Sequence, residues 1–299
     1  SATDVFHVNN YSGNSNSNIF NTGFNPDMNI TTRTAAAPNY ILSRLTGAGY
    51  LQTELTDAEV ASSGTKFWDK GNNLIDLATN WWGQNDVVSW SWKRAPSYFD
   101  VVAYTGTGSA TTVSHNLGVA PEMMWIKRRS AAENWAVYHS ALGNNKVILL
   151  QSSGAAYSDS AFNNTTPTNS VFSVSNATET NASGHTYIAY LFATVAGVSK
   201  VGSYTGSNSS AVTVDCGFSN GARFVLIKSV DGSGNWKIWD SVRGINSSAD
   251  EPYLKLNNTD AEVTNSNNID PHSSGFTVTQ QGNSPISQNG ETYIFYAIA

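Results

Sequence analysis

The chain has 299 residues, 13% of them charged, and a formal net charge of −6 at pH 7. That length is too great for one compact sandwich and suits two or three domains of ordinary size. The acidic balance argues against a nucleic-acid partner, since no Lys/Arg cluster exceeds Lys127-Arg128-Arg129. That triplet reads as the solvated end of a strand.

Cys216 is the single cysteine, so no intrachain disulfide can form. Its neighbours Val212, Val214 and Phe218 make it a small core residue rather than a nucleophile. No apolar run approaches the roughly 18 residues needed for a helix to span a bilayer, so no membrane insertion is expected. The chain opens Ser1-Ala2-Thr3 with neither an initiator Met nor a signal peptide, as a processed product or fragment would.

In chain order, the first landmarks are Asn10-Tyr11-Ser12-Gly13 and Pro26-Asp27-Met28. Tyr50-Leu51 and Thr56-Asp57-Ala58-Glu59-Val60 follow. Residues 57–62 are the best helix candidate, because Thr56 and Glu59 have the spacing of a capping box. Trp81-Trp82 comes next, and Val88-Ser89-Trp90-Ser91-Trp92-Lys93 reads as a strand.

A second series opens with Val102-Ala103-Tyr104-Thr105-Gly106 and continues through Pro121-Glu122-Met123 and Met124-Trp125-Ile126-Lys127. Residues 130–135 are a second short helix candidate. Trp135-Ala136-Val137-Tyr138-His139-Ser140 follows, and Thr186-Tyr187-Ile188-Ala189-Tyr190 closes the series. A third series repeats the order about 100 residues later. It runs through Tyr204-Thr205-Gly206, Val225-Leu226-Ile227-Lys228, Trp236-Lys237-Ile238-Trp239-Asp240-Ser241, Tyr253-Leu254, Thr259-Asp260-Ala261-Glu262-Val263 and Thr292-Tyr293-Ile294-Phe295-Tyr296.

Landmarks in fixed order at a nearly fixed offset are the signature of internal repeats. The predicted blocks are residues 1–96, 97–197 and 198–299, with joints near Ala95-Pro96 and Ala196-Gly197. Such short joints predict a stiff string of beads. Phe172-Ser173-Val174-Ser175 and Phe276-Thr277-Val278-Thr279 alternate as half-buried strands do, and Gly/Asn/Ser clusters between such runs mark turns. The expected fold class is all-β, as three tandem jelly-roll-like β-sandwich domains of about 100 residues each.

Paired acids suggest glycoside hydrolysis, which needs two carboxyl groups across a bond. Asp57/Glu59 and Asp260/Glu262 are the candidates, but in the second block they align with Ala155 and Tyr157. A frame that survives without the acids does not need them for chemistry, so no catalytic residue is assigned and no enzyme is expected. The five histidines show no metal-ligand spacing. His139 aligns with Asp240 and His185 with Glu291, and both are expected at the surface. No cofactor and no metal is assigned, although Asp/Asn loops can hold Ca²⁺.

The nine tryptophans carry the remaining interest, because aromatic faces stack on sugar rings. Trp90, Tyr190 and Tyr296 align with one another, as core positions do. The candidate binding residues are Trp81, Trp82, Trp135, Trp236 and Trp239. Trp81-Trp82 has no aromatic counterpart in the other blocks and is the better surface candidate.

The ordered series from Tyr204-Thr205-Gly206 through Trp239-Asp240-Ser241-Val242-Arg243-Gly244 to Gly290-Glu291-Thr292-Tyr293-Ile294 resembles a module of unknown function. That module is found in tail-fibre and other virion-surface proteins of marine phages, cyanophages among them. The third block carries the resemblance over nearly its full length, while the second has Ala141-Leu142-Gly143 in place of Val-Arg-Gly. A stable chain without disulfides also fits phage proteins, made in a reducing cytosol and released by lysis.

The resemblance implies a virion-surface, extracellular protein: a tail fibre or host-attachment adhesin. Its partners would be other virion proteins and a host surface glycan or envelope receptor. A homo-oligomer is expected, a trimer by analogy with fibres, though no heptad repeat would drive it. The alternatives are a capsid decoration or head-fibre protein and, from the enzyme class, a glycan-degrading tailspike.

Overall fold

A strand with apolar residues on both faces must lie between two layers. The closing segments of all three repeats do so in the computed structural model, which describes residues 1–11, 19–62, 68, 73–76, 86–245, 250–279 and 285–299. The first repeat comprises β1 (Phe6–Tyr11), β2 (Ile19–Asn21), β3 (Met28–Arg33), β4 (Tyr40–Ser43), β5 (Tyr50–Gln52), β6 (Leu74–Asp76) and β7 (Val87–Trp92). The second comprises β8 (Phe99–Thr105), β9 (Thr111–Ser114), β10 (Met123–Arg128), β11 (Trp135–His139), β12 (Lys146–Leu149), β13 (Tyr157–Ser158), β14 (Val171–Val174) and β15 (Thr186–Phe192). The third comprises β16 (Ser199–Thr205), β17 (Val212–Asp215), β18 (Phe224–Ser229), β19 (Lys237–Asp240), β20 (Leu254–Lys255), β21 (Ile269–His272), β22 (Gly275–Val278) and β23 (Thr292–Ile298).

The fold is an all-β sandwich. Each module builds one main antiparallel sheet, in the orders β1-β7-β3-β4-β5, β8-β15-β10-β11-β12-β13 and β16-β23-β18-β19-β20. A small second sheet accompanies each: β2-β6, β9-β14 and β17-β22-β21. The opening strand pairs with the closing strand throughout, in matching register: Phe6 faces Trp92, Phe99 faces Phe192 and Ser199 faces Ile298. β1 is therefore the opening strand of the first module, and Tyr11 stands where Tyr104 and Tyr204 stand.

The period-2 alternation then sorts the side chains. In β15, Tyr187, Ala189 and Leu191 face the small sheet, while Ile188, Tyr190 and Phe192 face the other way. In β23, Tyr293, Phe295 and Ala297 take the first role and Ile294, Tyr296 and Ile298 the second. In β7 the small-sheet side is partly polar: Asn29 Nδ2 donates to Ser89 Oγ at 2.5 Å and to Ser91 Oγ at 2.9 Å.

The second set of side chains from all three main sheets meets in one core. It holds Phe6, Trp90 and Trp92 of the first module, Trp125, Trp135, Tyr190 and Phe192 of the second, and Phe224, Trp236 and Tyr296 of the third. Aromatic contacts run across it: Phe6 lies 5.2 Å from Phe224, and Phe192 lies 5.1 Å from Tyr296. The modules are thus not beads on a string. A short joint places two sheets side by side, and their apolar inner faces close on each other rather than on their own module alone.

The Tyr-Thr-Gly segments acquire a reason here. Tyr104 stacks on Tyr187 and Tyr204 on Tyr293, each at 5.2 Å. The next glycine passes against backbone: a Cβ on Gly106 would meet Ala182 O at 2.2 Å, and one on Gly206 would meet Gln288 O at 2.3 Å. Only glycine admits that approach.

Neither expected helix forms. Residues 57–62 carry no helix, only the bridge of Val60 to Tyr50, and residues 130–134 are a loop leading into β11. Both segments have competing backbone partners in a neighbouring module, which outweigh a two-turn helix. The one α-helix among the described residues is Thr178–Asn181.

Candidate functional site

The residues singled out by recurrence converge on the seams between modules. At the seam of the first and second, Glu59 N donates to Arg129 O at 2.8 Å and Glu133 N to Thr56 O at 2.7 Å. At the seam of the second and third, Ala156 N donates to Val230 O at 2.9 Å and Gly234 N to Ser153 O at 2.8 Å. At the seam of the third and first, Glu262 N donates to Thr34 O at 2.8 Å and Ala37 N to Thr259 O at 3.0 Å. The same two backbone bonds recur at all three seams, so the modules close into a pseudo-three-fold ring.

These bonds refine the sequence alignment by one residue. Ala156, not Tyr157, occupies the place of Glu59 and Glu262, and Gly154 takes the place of Asp57. The recurrent Thr-Asp-Ala-Glu-Val segment is a docking edge whose backbone does the joining, which explains how the second module dispenses with its acids. Three of the four acids form ion pairs: Glu59 with Arg129 at 2.5 Å, Glu262 with Arg243 at 2.7 Å and Asp260 with Lys255 at 2.6 Å.

Trp135 and Trp236 are fully buried at equivalent seam positions. Trp135 Nε1 donates to Gln52 O at 3.0 Å and Leu55 O at 3.2 Å, and Trp236 Nε1 donates to Leu149 O at 2.9 Å. The first module places Asn39 there, and its Nδ2 reaches Lys255 O at 3.1 Å and Asn258 O at 2.9 Å. Trp239 lies in the outer core of the third module, with its ring 5.3 Å from Tyr253. None of these three tryptophans offers a face for stacking. Trp81 and Trp82 lie outside the described residues.

The basic triplet is not a solvated strand end. Lys127 is buried, its Nζ donating to Thr56 O at 3.0 Å across the seam. Lys228 repeats this one seam on, reaching Gly154 O at 2.8 Å. Burial pulls both amines down to about 8. Lys237 lies 5.2 Å above the Tyr253 ring, and burial, with Lys255 nearby, pulls it down to about 7.

His139 is also buried, contrary to its expected exposure, and burial lowers it to about 4. Its Nδ1 accepts from Ala141 N at 3.2 Å, so the ring serves a turn at the end of β11. His185 is half-buried and bonded to Ser130 Oγ at 3.0 Å. Cys216 is buried as expected, and burial pushes its thiol up to about 12. No cluster of metal-ligating side chains occurs among the described residues, and no helix is long and apolar enough to cross a membrane.

The two ends of the ring differ. The strand registers place both joints, residues 93–98 and 193–198, at the end where β3, β10 and β18 begin. The opposite end carries Gly106-Thr107-Gly108-Ser109-Ala110 and Gly206-Ser207-Asn208-Ser209-Ser210, small polar loops that follow β8 and β16.

A single family profile, described as a domain of unknown function (DUF7483), matches residues 1–299 without a break. The chain belongs to this family. The match spans all three repeats together, consistent with the closed ring being the recurring unit. A search of curated proteins returns no match.

Proposed function

We propose that the chain is a virion-surface protein of a phage, and that it serves as a tail-fibre or host-attachment element displayed outside the cell. The observation that carries this reading is the closed ring of three β-modules around one aromatic core. It gives a disulfide-free chain the rigidity that an exposed particle component needs, and it supplies within one chain the three-fold form that a fibre otherwise gains by trimerisation. The joint-bearing end would face the particle, and the Gly/Ser/Asn/Thr loops of the opposite end would face the host glycan or envelope receptor. Weak contacts there would gain strength from the number of copies on the particle.

Burial of Trp135, Trp236 and Trp239 removes three of the five stacking surfaces and favours a second reading. In that reading the ring is a capsid decoration or head fibre that contacts other virion proteins and no receptor. Immunogold electron microscopy of intact particles, with an antibody to this chain, separates the two. Label at the distal tail supports attachment, and label spread over the capsid supports decoration. Absence from every particle overturns the virion assignment.

A further inference from the structure

The first module hangs on a single covalent joint. Its seam with the third module is made of contacts alone, Glu262 N to Thr34 O at 2.8 Å and Ala37 N to Thr259 O at 3.0 Å among them. The turn of residues 95–98 is its one tie along the chain to the second module, and the turn of residues 195–198 ties the third in the same way. Both turns are closed by the same bonds. Ala95 N donates to Phe99 O and Val195 N to Ser199 O, each at 3.1 Å, while Tyr98 N donates to Ala95 O and Val198 N to Val195 O.

The turns differ in the residue that bends. Each needs a left-handed backbone at its third position, with φ of 68° at Gly197 and 62° at Ser97. Glycine adopts that conformation freely, whereas the serine Cβ crowds the following carbonyl. Ser97 is held there by its surroundings, since its N–H donates to Leu117 O at 2.7 Å. The second joint is pinned by two further hydroxyls: Ser199 Oγ donates to Ala193 O at 2.8 Å, and Thr194 Oγ1 accepts from Val201 N at 3.1 Å. The first joint has Phe99 and Arg94 in those places, and Arg94 is 39% exposed where it pairs with Asp100. The first joint is therefore the strained one.

A short strained joint between complementary surfaces is the arrangement from which copies of a chain exchange an element. Every seam bond of the first module, Glu59 N to Arg129 O and Ala37 N to Thr259 O alike, can be made unchanged to a second copy. Extending the turn frees Ser97 from its bend, and four extended residues span about 13 Å, enough to cross from one ring to the next. The two rings would meet at the joint-bearing end. That end carries Leu45 and Val242, 42% and 53% exposed, in the turns that follow β4 and β19. The end that would face the particle then faces a second copy, itself a particle component.

We propose that two copies of this chain form an exchanged dimer, in which the first module of each, residues 1–94, completes the ring of the other through an opened first joint. The test uses the full chain, unfolded in urea and refolded by dilution at low and at high protein concentration. Size-exclusion chromatography with light scattering should show a dimer whose share grows with concentration. Glu59→Cys with Arg129→Cys places two thiols where that ion pair meets across the seam. A short bismaleimide should then join two chains in the dimer and close a loop within one chain in the monomer, as read on a denaturing gel. Ser97→Gly removes the strain from both hinges and should raise the dimer dissociation constant about thirtyfold. If the cysteine pair does not fold, Ser97→Gly decides alone. No dimer at any concentration, a dimer that cross-links only within chains, or a dissociation constant unchanged by Ser97→Gly would overturn the exchange.

Discussion

Trp90 Nε1 in the first module donates to Asp240 Oδ2 in the third at 3.1 Å, a bond made wholly inside the protein between residues 150 positions apart. Asp240 also binds Arg243 Nε at 2.7 Å, and Arg243 stands 5.5 Å from the Trp90 ring while its Nη1 holds Glu262. One carboxylate therefore fixes a turn of its own module and the closing strand of another.

Asp240→Ala should cost about 3 kcal/mol of stability, because it takes from the buried Arg243 one of its two carboxylates and leaves Glu262 and the Ile238 carbonyl as partners. Trp90→Phe keeps the ring packing and removes one bond to a charged acceptor, so it should cost about 2 kcal/mol. Urea unfolding of both variants, and of the pair combined, measures this. Equal losses for the two would show that the indole, and not the ion pair, carries the seam.

Gly206→Ala should destabilise the chain well beyond the roughly 1 kcal/mol of ordinary glycine substitutions, since the new methyl would meet backbone at Gln288 O, 2.3 Å away. Gly118→Ala is the control for positive φ alone: it has open space around it and a φ of 80°. Thermal unfolding of the two variants compares close approach with backbone strain, and Gly206→Ala should show the larger drop.

The fold class and the repeat were legible in the sequence because both rest on local signals, alternation along β15 and β23 and turn clusters between strands. Ring closure was not, since the bonds that make it are from backbone to backbone and any side chain can supply them. Ala156 and Glu59 make the same bond with nothing in common beyond a peptide N–H. Trp135 and Trp236 looked like a recognition pair because paired tryptophans serve both stacking and seams, and only the partner carbonyls Gln52 O and Leu149 O decide between them. His139 and Asp240 swap charge type as exposed residues do, yet each answers a different neighbour inside the core.

The buried amines set the response to alkaline pH. Lys237 titrates at about 7, and Lys127 and Lys228 at about 8, against an ordinary 10.5. The unfolded chain then binds more protons than the folded one, so stability rises with pH from about 7. The gain is opposed above about 9, where Cys216 ionises in the unfolded chain but is held protonated to about 12 in the fold. The urea midpoint should increase between pH 7 and 9, and Lys237→Met should flatten that slope while raising the midpoint at pH 7. A slope unchanged by Lys237→Met would assign the titration elsewhere.

Acid acts through His139. Its folded value of about 4 lies below the ordinary 6.5, so the folded chain resists a proton that the unfolded chain takes. Stability should fall as pH drops from 6.5 towards 4. His139→Gln retains a side-chain acceptor in place of Nδ1, which receives Ala141 N, but cannot titrate. It should remove part of that fall, measured as the change in urea midpoint between pH 7 and 4.5. An acid limb of the same depth in the variant would place the sensitivity in His115, also lowered by burial, or in the carboxylates.

The shared core makes a stronger demand on the whole chain. If each repeat were an independent sandwich, unfolding would show up to three transitions and residues 198–299 would fold alone. In the ring, removing the third module would expose the inner faces of the other two, among them Trp90, Trp92 and Phe192, and break the seam bonds at Val230, Thr34 and Thr259. Unfolding followed by tryptophan fluorescence and by backbone circular dichroism should therefore coincide in one transition. A chain ending at residue 197 should collapse without fixed tertiary packing, and adding residues 198–299 as a separate chain should restore the native fluorescence. Separate transitions, or a stable folded product from either piece alone, would show that the aromatic core is three cores in contact rather than one.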